Sequence, residues 1–325
     1  MQTLKENAKN GTNMTETPDD KKNNPQAPGN PPSSVLGPMR LPFLILTPAC
    51  VSLGATLAYF QGYRISPLQA VLVLGGALAA HISVNALNEY HDFRTGLDMK
   101  TSKTPFSGGS GALPANPSKA SNGLIVGLAA MAVTATVGIY FLWARGWIIL
   151  LAGLPGIITV AAYTPLLTKN PFLCLLAPGI GFGPAMVMGT FAALTGEYNL
   201  SAFAVSLPPF FLVSNLLLLN QFPDVEADRS VGRRHIPIVW GKKKSSFLYA
   251  FMMLGAFGCI FAGYLLDLFP TTVLLSLIML APAAVAIRGV YLHAENTKRL
   301  IPFMGLNVII VLATPILVSL GFILG

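Results

Sequence analysis

Charged residues are scarce in this chain. Only 10% of its 325 residues are Asp, Glu, Lys or Arg, whereas a soluble protein has roughly 25%. Hydrophobic residues make up 53% of the sequence, and the mean hydropathy is +0.61. This composition excludes an ordinary soluble domain and predicts an all-α membrane protein with several spans. The net charge of +8 does not predict a nucleic-acid partner, because the basic residues lie in loops between apolar runs.

Cysteine is also scarce. The three cysteines lie singly in apolar segments, and no two have the spacing of a disulfide or a metal site. They are therefore interpreted as small core residues. The four histidines form no ligand pattern such as His-x-x-x-His. Nothing in these spacings predicts a metal site built from Cys and His.

The longest polar stretch is at the N-terminus. Residues 1–38 have almost no apolar side chains, so they are predicted to be a disordered cytoplasmic tail without a signal-peptide core. Residues 39–325 are predicted to form one transmembrane domain. Each of its apolar runs approaches the ~20 residues that a bilayer crossing requires. We predict nine spans, at 42–60, 67–91, 123–143, 147–164, 173–194, 201–222, 245–266, 270–291 and 300–324.

The distribution of basic residues supports nine spans. With that number, all Lys and Arg residues except Arg64 and Arg145 fall on one side of the bilayer. The positive-inside rule then places the N-terminus and these loops in the cytoplasm. We therefore expect a multi-pass protein of the inner (cytoplasmic) membrane of the cell.

An amide and two carboxylates follow the apolar run 202–219. Asn220, Asp224 and Asp228 are four residues apart, so on a helix they would share one face. Carboxylates repel one another and are costly where water is scarce. A bound divalent cation removes both costs, and Mg²⁺ takes oxygen ligands while keeping room for water and substrate phosphates. The pattern predicts a metal–diphosphate site at a membrane face.

A similar cluster ends the second predicted span. Asn88 and Asp92 are four residues apart, and Asn85 lies on nearly the same face. Asp98 follows in the loop. Two facing clusters of this kind would suit Mg²⁺ ions that grip one diphosphate. Each cluster is followed by a basic loop. The Lys and Arg residues of these loops would either complete a phosphate site or only fix the orientation of the protein in the membrane.

At these two clusters the sequence resembles the UbiA superfamily of intramembrane aromatic prenyltransferases, over about residues 40–325. The first family motif is Asn-x-x-x-Asp with a further Asp downstream, and the second is Asp-x-x-x-Asp behind an Asn. The matching residues are Asn88, Asp92 and Asp98 for the first motif and Asn220, Asp224 and Asp228 for the second.

Within this superfamily the sequence is most similar to the menaquinone-pathway branch, the 1,4-dihydroxy-2-naphthoate prenyltransferases. The similarity is carried by two segments, Asn88-Glu-Tyr-His-Asp-Phe-Arg-Thr-Gly-Leu-Asp98 and Gly232-Arg-Arg-His-Ile-Pro-Ile-Val-Trp-Gly241. His235 stands where the branch usually has Thr, and the loop 104–114 matches the branch only in part. Both departures bear on the choice of acceptor.

The resemblance implies nine helices around a central cavity, with a polyprenyl tail in an apolar tunnel open to lipid. It implies Mg²⁺-dependent transfer of a polyprenyl group from a polyprenyl diphosphate to an aromatic acceptor. The implied Mg²⁺ ligands are Asn88, Asp92, Asp224 and Asp228, supported by Asn220 and Asp98. The implied substrate-binding residues are Asn85, Arg94, Lys169 and Arg234. Tyr163 would border the reacting carbon. The catalytic residues that the resemblance implies are therefore this tyrosine and two of the Mg²⁺ ligands, Asp92 and Asp224.

Other interpretations stay open from the sequence. The same fold would suit another acceptor, such as 4-hydroxybenzoate, homogentisate, a haem or a glycerol-linked lipid. A secondary transporter also has intramembrane carboxylates, although usually near the midplane, and a non-catalytic scaffold is a further alternative. Glu89 is either a neighbour of the metal site or a helix-end charge. His91 and His235 are either general bases or interfacial polar residues.

Overall fold

The structure is a computed structural model that describes residues 33–101 and 103–325, and this part of the chain is built from helices. The α-helices are α1 (Leu46–Phe60), α2 (Pro67–Arg94), α3 (Ala112–Ala115), α4 (Ser121–Arg145), α5 (Leu150–Ala162), α6 (Pro171–Ile180), α7 (Gly189–Thr195), α8 (Leu200–Asn220), α9 (Val225–Ser230), α10 (Ile236–Trp240), α11 (Lys242–Leu265), α12 (Leu280–His293) and α13 (Thr297–Leu324). Short 3-10 segments are Gly37–Met39, Leu41–Ile45, Leu97–Met99, Pro117–Lys119, Trp147–Ile149, Leu167–Lys169 and Thr271–Met279. A π-helix, Gly181–Met188, joins α6 to α7.

Each of the nine predicted spans corresponds to an apolar helix. Some of these helices continue directly into 3-10 or π-helical segments, as in Pro171–Thr195. When such segments are counted as one helix, eight helices among the described residues are long and apolar enough to cross a membrane. The fourth predicted span, 147–164, is the shorter apolar helix Trp147–Ala162. The prediction of an all-α membrane protein is confirmed, and the protein is multi-pass.

The predicted boundary between tail and domain lies at residue 38. Residues 1–32, which are most of the predicted tail, lie outside the described part. Residues 33–36 form a turn, and the 3-10 segment Gly37–Met39 packs against α2.

The main core lies between α1, α8, α11 and α13. Lipid is as apolar as these side chains, so packing and interhelical hydrogen bonds, rather than exclusion of water, hold such helices together. One buried chain of hydrogen bonds joins three of them. Asn215 Nδ2 donates to the carbonyl of Tyr249 at 3.0 Å, and Tyr249 Oη donates to Asn307 Oδ1 at 2.9 Å.

Small residues bring α2 and α4 into close contact. A Cβ on Gly127 would lie 2.7 Å from Leu87 Cγ, so a larger residue would push the helices apart. Ser83 Oγ donates to the carbonyl of Gly127 at 2.8 Å, which ties α4 to α2. Residues of both α2 and α4 line one side of the cavity between the helices.

Candidate active site

The last turns of α2 carry the first acidic cluster into the protein. The helical period places Asn85, Asn88 and Asp92 near one face. Asp92 is only 5% exposed. Asn88 Nδ2 donates to Thr164 Oγ1, just beyond α5, at 3.1 Å. Asn85 Nδ2 donates to the carbonyl of Met39 at 3.1 Å. These amides therefore connect α2 to the neighbouring segments at the end of the cavity.

Glu89 anchors two segments beside this cluster. Its carboxylate is fully buried and accepts from Arg40 Nε at 2.7 Å. It also accepts from the N–H of Ser110 at 2.6 Å and from Ser110 Oγ at 3.0 Å. Arg40 reaches further, to Asn88 Oδ1 at 3.3 Å. Of the two interpretations of Glu89, this geometry favours a neighbour of the site over a solvated helix-end charge.

The second acidic cluster is not one continuous helix, which corrects the prediction of a single helical face. α8 ends at Asn220, and a turn through Pro223 leads into α9. Proline has no N–H to donate, so it interrupts the helical hydrogen bonds. Asp224 is the N-cap of α9, and the N–H of Asp228 donates to the carbonyl of Asp224 at 2.8 Å. The spacing of Asp224 and Asp228 is therefore helical, but Asn220 belongs to the preceding helix.

Arg233 joins the two clusters. Its guanidinium is ion-paired with Asp92 on α2 and donates to Asp228 Oδ1 at 2.9 Å. The other oxygen of Asp228 lies 2.9 Å from His235 Nε2. Asp92, Asp228 and His235 are all buried. The acidic ends of α2 and α9 are thus neighbours, separated by one guanidinium.

A loop at residues 104–110 lies against both clusters. Ser107 Oγ donates to Asp224 Oδ1 at 3.4 Å, while Ser110 binds Glu89. Between them Gly109 has a positive φ of 71°, and a Cβ there would lie 2.9 Å from Asp98 Oδ1. A side chain at position 109 would displace this buried carboxylate.

A cavity of about 380 Å³ begins at the asparagines of the two clusters and continues between the helices. Asn85, Asn88, Tyr163 and Asn220 line its polar end. The remaining walls are mainly apolar and come from α2, α4, α5, the π-helix, α8 and α13. The hydroxyl of Tyr163 lies 3.8 Å from Cys174 Sγ. The arrangement offers a polar head site joined to an apolar channel.

The donor groups fit a hard cation such as Mg²⁺. Asn220 Oδ1 and Asp98 Oδ2 are buried, and neither has a hydrogen-bond partner among the described residues. Over the same residues no three Asp, Glu, His or Cys side chains converge tightly enough to hold a metal alone. Amide oxygens and substrate phosphates would therefore have to complete the coordination, as Mg²⁺ sites commonly allow.

Two carboxyl groups outside the spans have shifted pKa values. Burial, together with the nearby Glu89 and Asp92, raises the pKa of Asp98 to about 7. Burial and the neighbouring Asp228 carboxylate raise the pKa of Asp224 to about 7. The charged form of each carboxylate is poorly solvated, and a bound cation would stabilise it.

The predicted basic residues lie around the rim. Arg94, Lys169 and Arg234 are exposed; the guanidinium of Arg94 lies 6.0 Å from the ring centre of Tyr90, and the backbone N–H of Arg234 donates to the carbonyl of Thr168. The guanidiniums inside the site belong instead to Arg40 and Arg233. No signal in the sequence pointed to Arg40, and Arg233 stood only among the basic loop residues that follow the second cluster, without being distinguished from Arg229 and Arg234.

The sequence pattern of the UbiA prenyltransferase family matches residues 45–309. Over 203 residues the chain is 32% identical to a 1,4-dihydroxy-2-naphthoate octaprenyltransferase of Bacillus subtilis (strain 168). That match covers 62% of this chain and 63% of the relative, so it spans less than two thirds of the relative's length.

Solved structures share the fold at low sequence identity. A UbiA homologue from Aeropyrum pernix K1, solved without ligand, has a TM-score of 0.64 and 19% identity, over 87% of this chain and 98% of that one. A UbiA homologue from Archaeoglobus fulgidus bound to GPP and Mg²⁺ has a TM-score of 0.54 and 13% identity, over 88% of this chain and 100% of that one. These likenesses extend across the described helices and establish the architecture.

Proposed function

The chain belongs to the UbiA prenyltransferase family, and we propose that it transfers a polyprenyl group from a polyprenyl diphosphate to an aromatic acceptor in a Mg²⁺-dependent reaction. The acceptor that we propose is 1,4-dihydroxy-2-naphthoate, in menaquinone biosynthesis. We also propose that it works in the inner membrane of the cell, with the N-terminus and both acidic clusters on the cytoplasmic side.

One observation carries the proposal. The asparagines of two acidic motifs that are distant in sequence line the polar end of one apolar cavity, and Arg233 pairs with both Asp92 and Asp228. A diphosphate ester of a long hydrocarbon needs this combination, because its head is highly charged and its tail is apolar. A transporter would need its carboxylates along a path across the bilayer, whereas these lie at helix ends.

We assign the metal to the two motifs. The residues that would hold Mg²⁺ are Asn88, Asp92, Asp98, Asn220, Asp224 and Asp228. When bound, Mg²⁺ supplies positive charge that stabilises the diphosphate as it leaves. The Archaeoglobus fulgidus homologue was solved with GPP and Mg²⁺, which supports this choice of cation.

The basic residues would bind the remaining phosphate charge. The guanidinium of Arg233 lies between the two motifs. When the diphosphate binds, the guanidinium would give up its contact with one carboxylate and donate to a phosphate oxygen instead. The rim residues Arg94, Lys169 and Arg234 would bind the outer oxygens. Each guanidinium offers paired donors for phosphate, whereas the lysine acts as a point charge.

The chemistry then requires little covalent participation by the protein. The bond between the diphosphate oxygen and the first prenyl carbon breaks, and the electron pair leaves with the diphosphate. A ring carbon of the acceptor attacks the allylic cation and afterwards loses its proton. Tyr163 and Asn85 would border the reacting carbon, and the loop 104–110 would exclude water that would otherwise trap the cation. Placement of charge accounts for most of the catalysis.

The acceptor is supported by the Bacillus subtilis relative and by the two motif segments that resemble its branch. The test is to incubate the purified protein in bilayer discs with geranylgeranyl diphosphate, Mg²⁺ and a panel of acceptors, and to measure product masses. We expect a prenylated product from 1,4-dihydroxy-2-naphthoate. Product from 4-hydroxybenzoate or homogentisate alone would overturn the acceptor but keep the reaction, and no product from any acceptor would overturn both.

A further inference from the structure

The buried carboxylate of Asp228 has a different partner on each oxygen. Arg233 donates to Oδ1 at 2.9 Å, and His235 Nε2 lies 2.9 Å from Oδ2. The same guanidinium is ion-paired with Asp92 on α2. Oδ1 is therefore the oxygen that shares a partner with the first cluster, whereas Oδ2 is held by the histidine.

The loop after α9 brings both partners to Asp228. The N–H of Arg233 donates to the carbonyl of Asp228 at 3.1 Å, and Gly232, with a positive φ of 82°, allows the chain to turn back towards α9. His235 then has an extended backbone, with φ −82° and ψ 168°. Side chains two residues apart on an extended segment point to the same side. Arg233 and His235 accordingly contact Asp228, while Arg234 between them is exposed.

The imidazole of His235 is buried, at 2% exposure. An ionised carboxylate only accepts hydrogen bonds, so Nε2 carries a proton and donates to Asp228. The second ring nitrogen, Nδ1, is buried and has no hydrogen-bond partner among the described residues. A buried polar atom without a partner is costly, and an apolar side chain would avoid that cost. The contact with Asp228 is what the histidine adds at this position.

The position of His235 favours neither of the roles considered from the sequence. A general base must lie within reach of the proton that it removes, and the described residues that line the cavity do not include His235. A ring this deeply buried is also not an interfacial polar group. The contact through which it can influence the site is the one with Asp228.

We infer that His235 is a positioning residue: it holds Oδ2 of Asp228, so that Oδ1 stays directed towards the first cluster when Arg233 turns to phosphate. The inference rests on the proposed function and adds a residue to its metal site. Carboxylates that bind metal ions are commonly held by hydrogen bonds from groups that do not touch the metal. Loss of such a partner typically lowers metal affinity about 10–100-fold.

The test compares two amides at position 235 in the full-length protein in bilayer discs. His235→Gln places an amide N–H at about the reach of Nε2, whereas the shorter His235→Asn reaches only about as far as Nδ1. Both substitutions replace the ring with a polar group, so they differ in whether a donor reaches Asp228. His293→Asn is the control, because that ring stacks on Phe303 at the end of α12. Tm is measured in EDTA and then during a Mg²⁺ titration with inorganic diphosphate.

His235→Asn should require about tenfold more Mg²⁺ than wild type, or a still larger excess, for half of the Tm increase, and His235→Gln should stay within about threefold. His293→Asn should match wild type. In an Asp228→Asn background, His235→Asn should add little to the loss, because the histidine acts through that carboxylate. Equal Mg²⁺ requirements of the Gln and Asn variants, or a lower Tm in EDTA with an unchanged Mg²⁺ requirement, would overturn the inference.

The proposed function can fail separately. A protein that shows these Mg²⁺ effects but transfers no prenyl group would support the role of His235 and overturn the proposed reaction. Prenyl transfer by wild type, with the same Mg²⁺ requirement in every variant, would overturn the role of His235 and support the reaction. A wild-type Tm that does not rise with Mg²⁺ and diphosphate would overturn both.

Discussion

Arg233 places a positive charge where the two motifs need one. Its guanidinium contacts Asp92 and Asp228 at once, and both carboxylates are buried. Removing one partner of a buried ion pair leaves an uncompensated charge, which costs more than the pair itself contributes. The arginine therefore stabilises the metal-free site, and it is positioned to donate to an entering diphosphate.

Arg233→Ala should destabilise the metal-free protein by about 3 kcal/mol, because two buried carboxylates lose their counter-ion. Thermal unfolding in EDTA measures this, and Mg²⁺ should restore more stability to the variant than it adds to wild type. Arg234→Ala is the control, since the neighbouring side chain is exposed. Equal effects of the two substitutions would show that Arg233 has no special role in the site.

The raised pKa values of Asp98 and Asp224 give a pH dependence with a definite sign. Each of these carboxyl groups has a pKa raised to about 7 in the folded protein, so it binds a proton more tightly in the folded state than in the unfolded state. Its contribution to the stability of the protein is therefore present at low pH and is lost as the pH rises through 7. Mg²⁺ binds only the ionised form. The increase in Tm caused by Mg²⁺ should therefore be larger at about pH 8 than at about pH 6. An increase that shrinks with pH would contradict these assignments.

At the level of structural elements, the loop 104–110 is anchored by the side chain of Glu89. Glu89 holds it through Ser110 and holds the N-terminal segment through Arg40. The loop also contacts Asp224 through Ser107. The loop is thus tied to α2 through Glu89 and to the second motif through Asp224.

Glu89→Gln should loosen this loop by about 2 kcal/mol, the usual value of hydrogen bonds to a charged group. Hydrogen exchange at residues 104–110 should become faster, while exchange in α11 should not change. Glu226→Gln is a suitable control, because the pair that Glu226 makes with Arg229 is solvent-exposed. Unchanged exchange at 104–110 would contradict the anchoring role.

The helices were predictable because each span is a contiguous apolar stretch of the sequence. The positions of the acidic residues at helix ends were predictable for the same reason. The pairs Arg40–Glu89 and Arg233–Asp92 join residues 49 and 141 positions apart, and no local pattern encodes them. The break between α8 and α9 had a local signal in Pro223, which the regular spacing of Asn220, Asp224 and Asp228 outweighed.

For the whole molecule, the proposed orientation predicts which loops face the cytoplasm. A cysteine at the exposed position Glu197 should react with a membrane-impermeant maleimide in intact spheroplasts. A cysteine at the exposed position Lys244 should react only after lysis, because the positive-inside rule places that basic loop in the cytoplasm. Labelling in the opposite order would reverse the topology.

The central claim is that the ends of α2 and α8–α9 act together as one metal–diphosphate site at the head of one cavity. A double-mutant cycle tests this most directly, with Mg²⁺-dependent binding of geranyl diphosphate measured for wild type, Asp92→Ala, Asp224→Ala and the double variant. If the motifs form one site, either substitution alone abolishes most of the binding, and the double variant loses little more. Losses that add independently, or near-normal Mg²⁺-dependent binding by Asp224→Ala, would contradict the account.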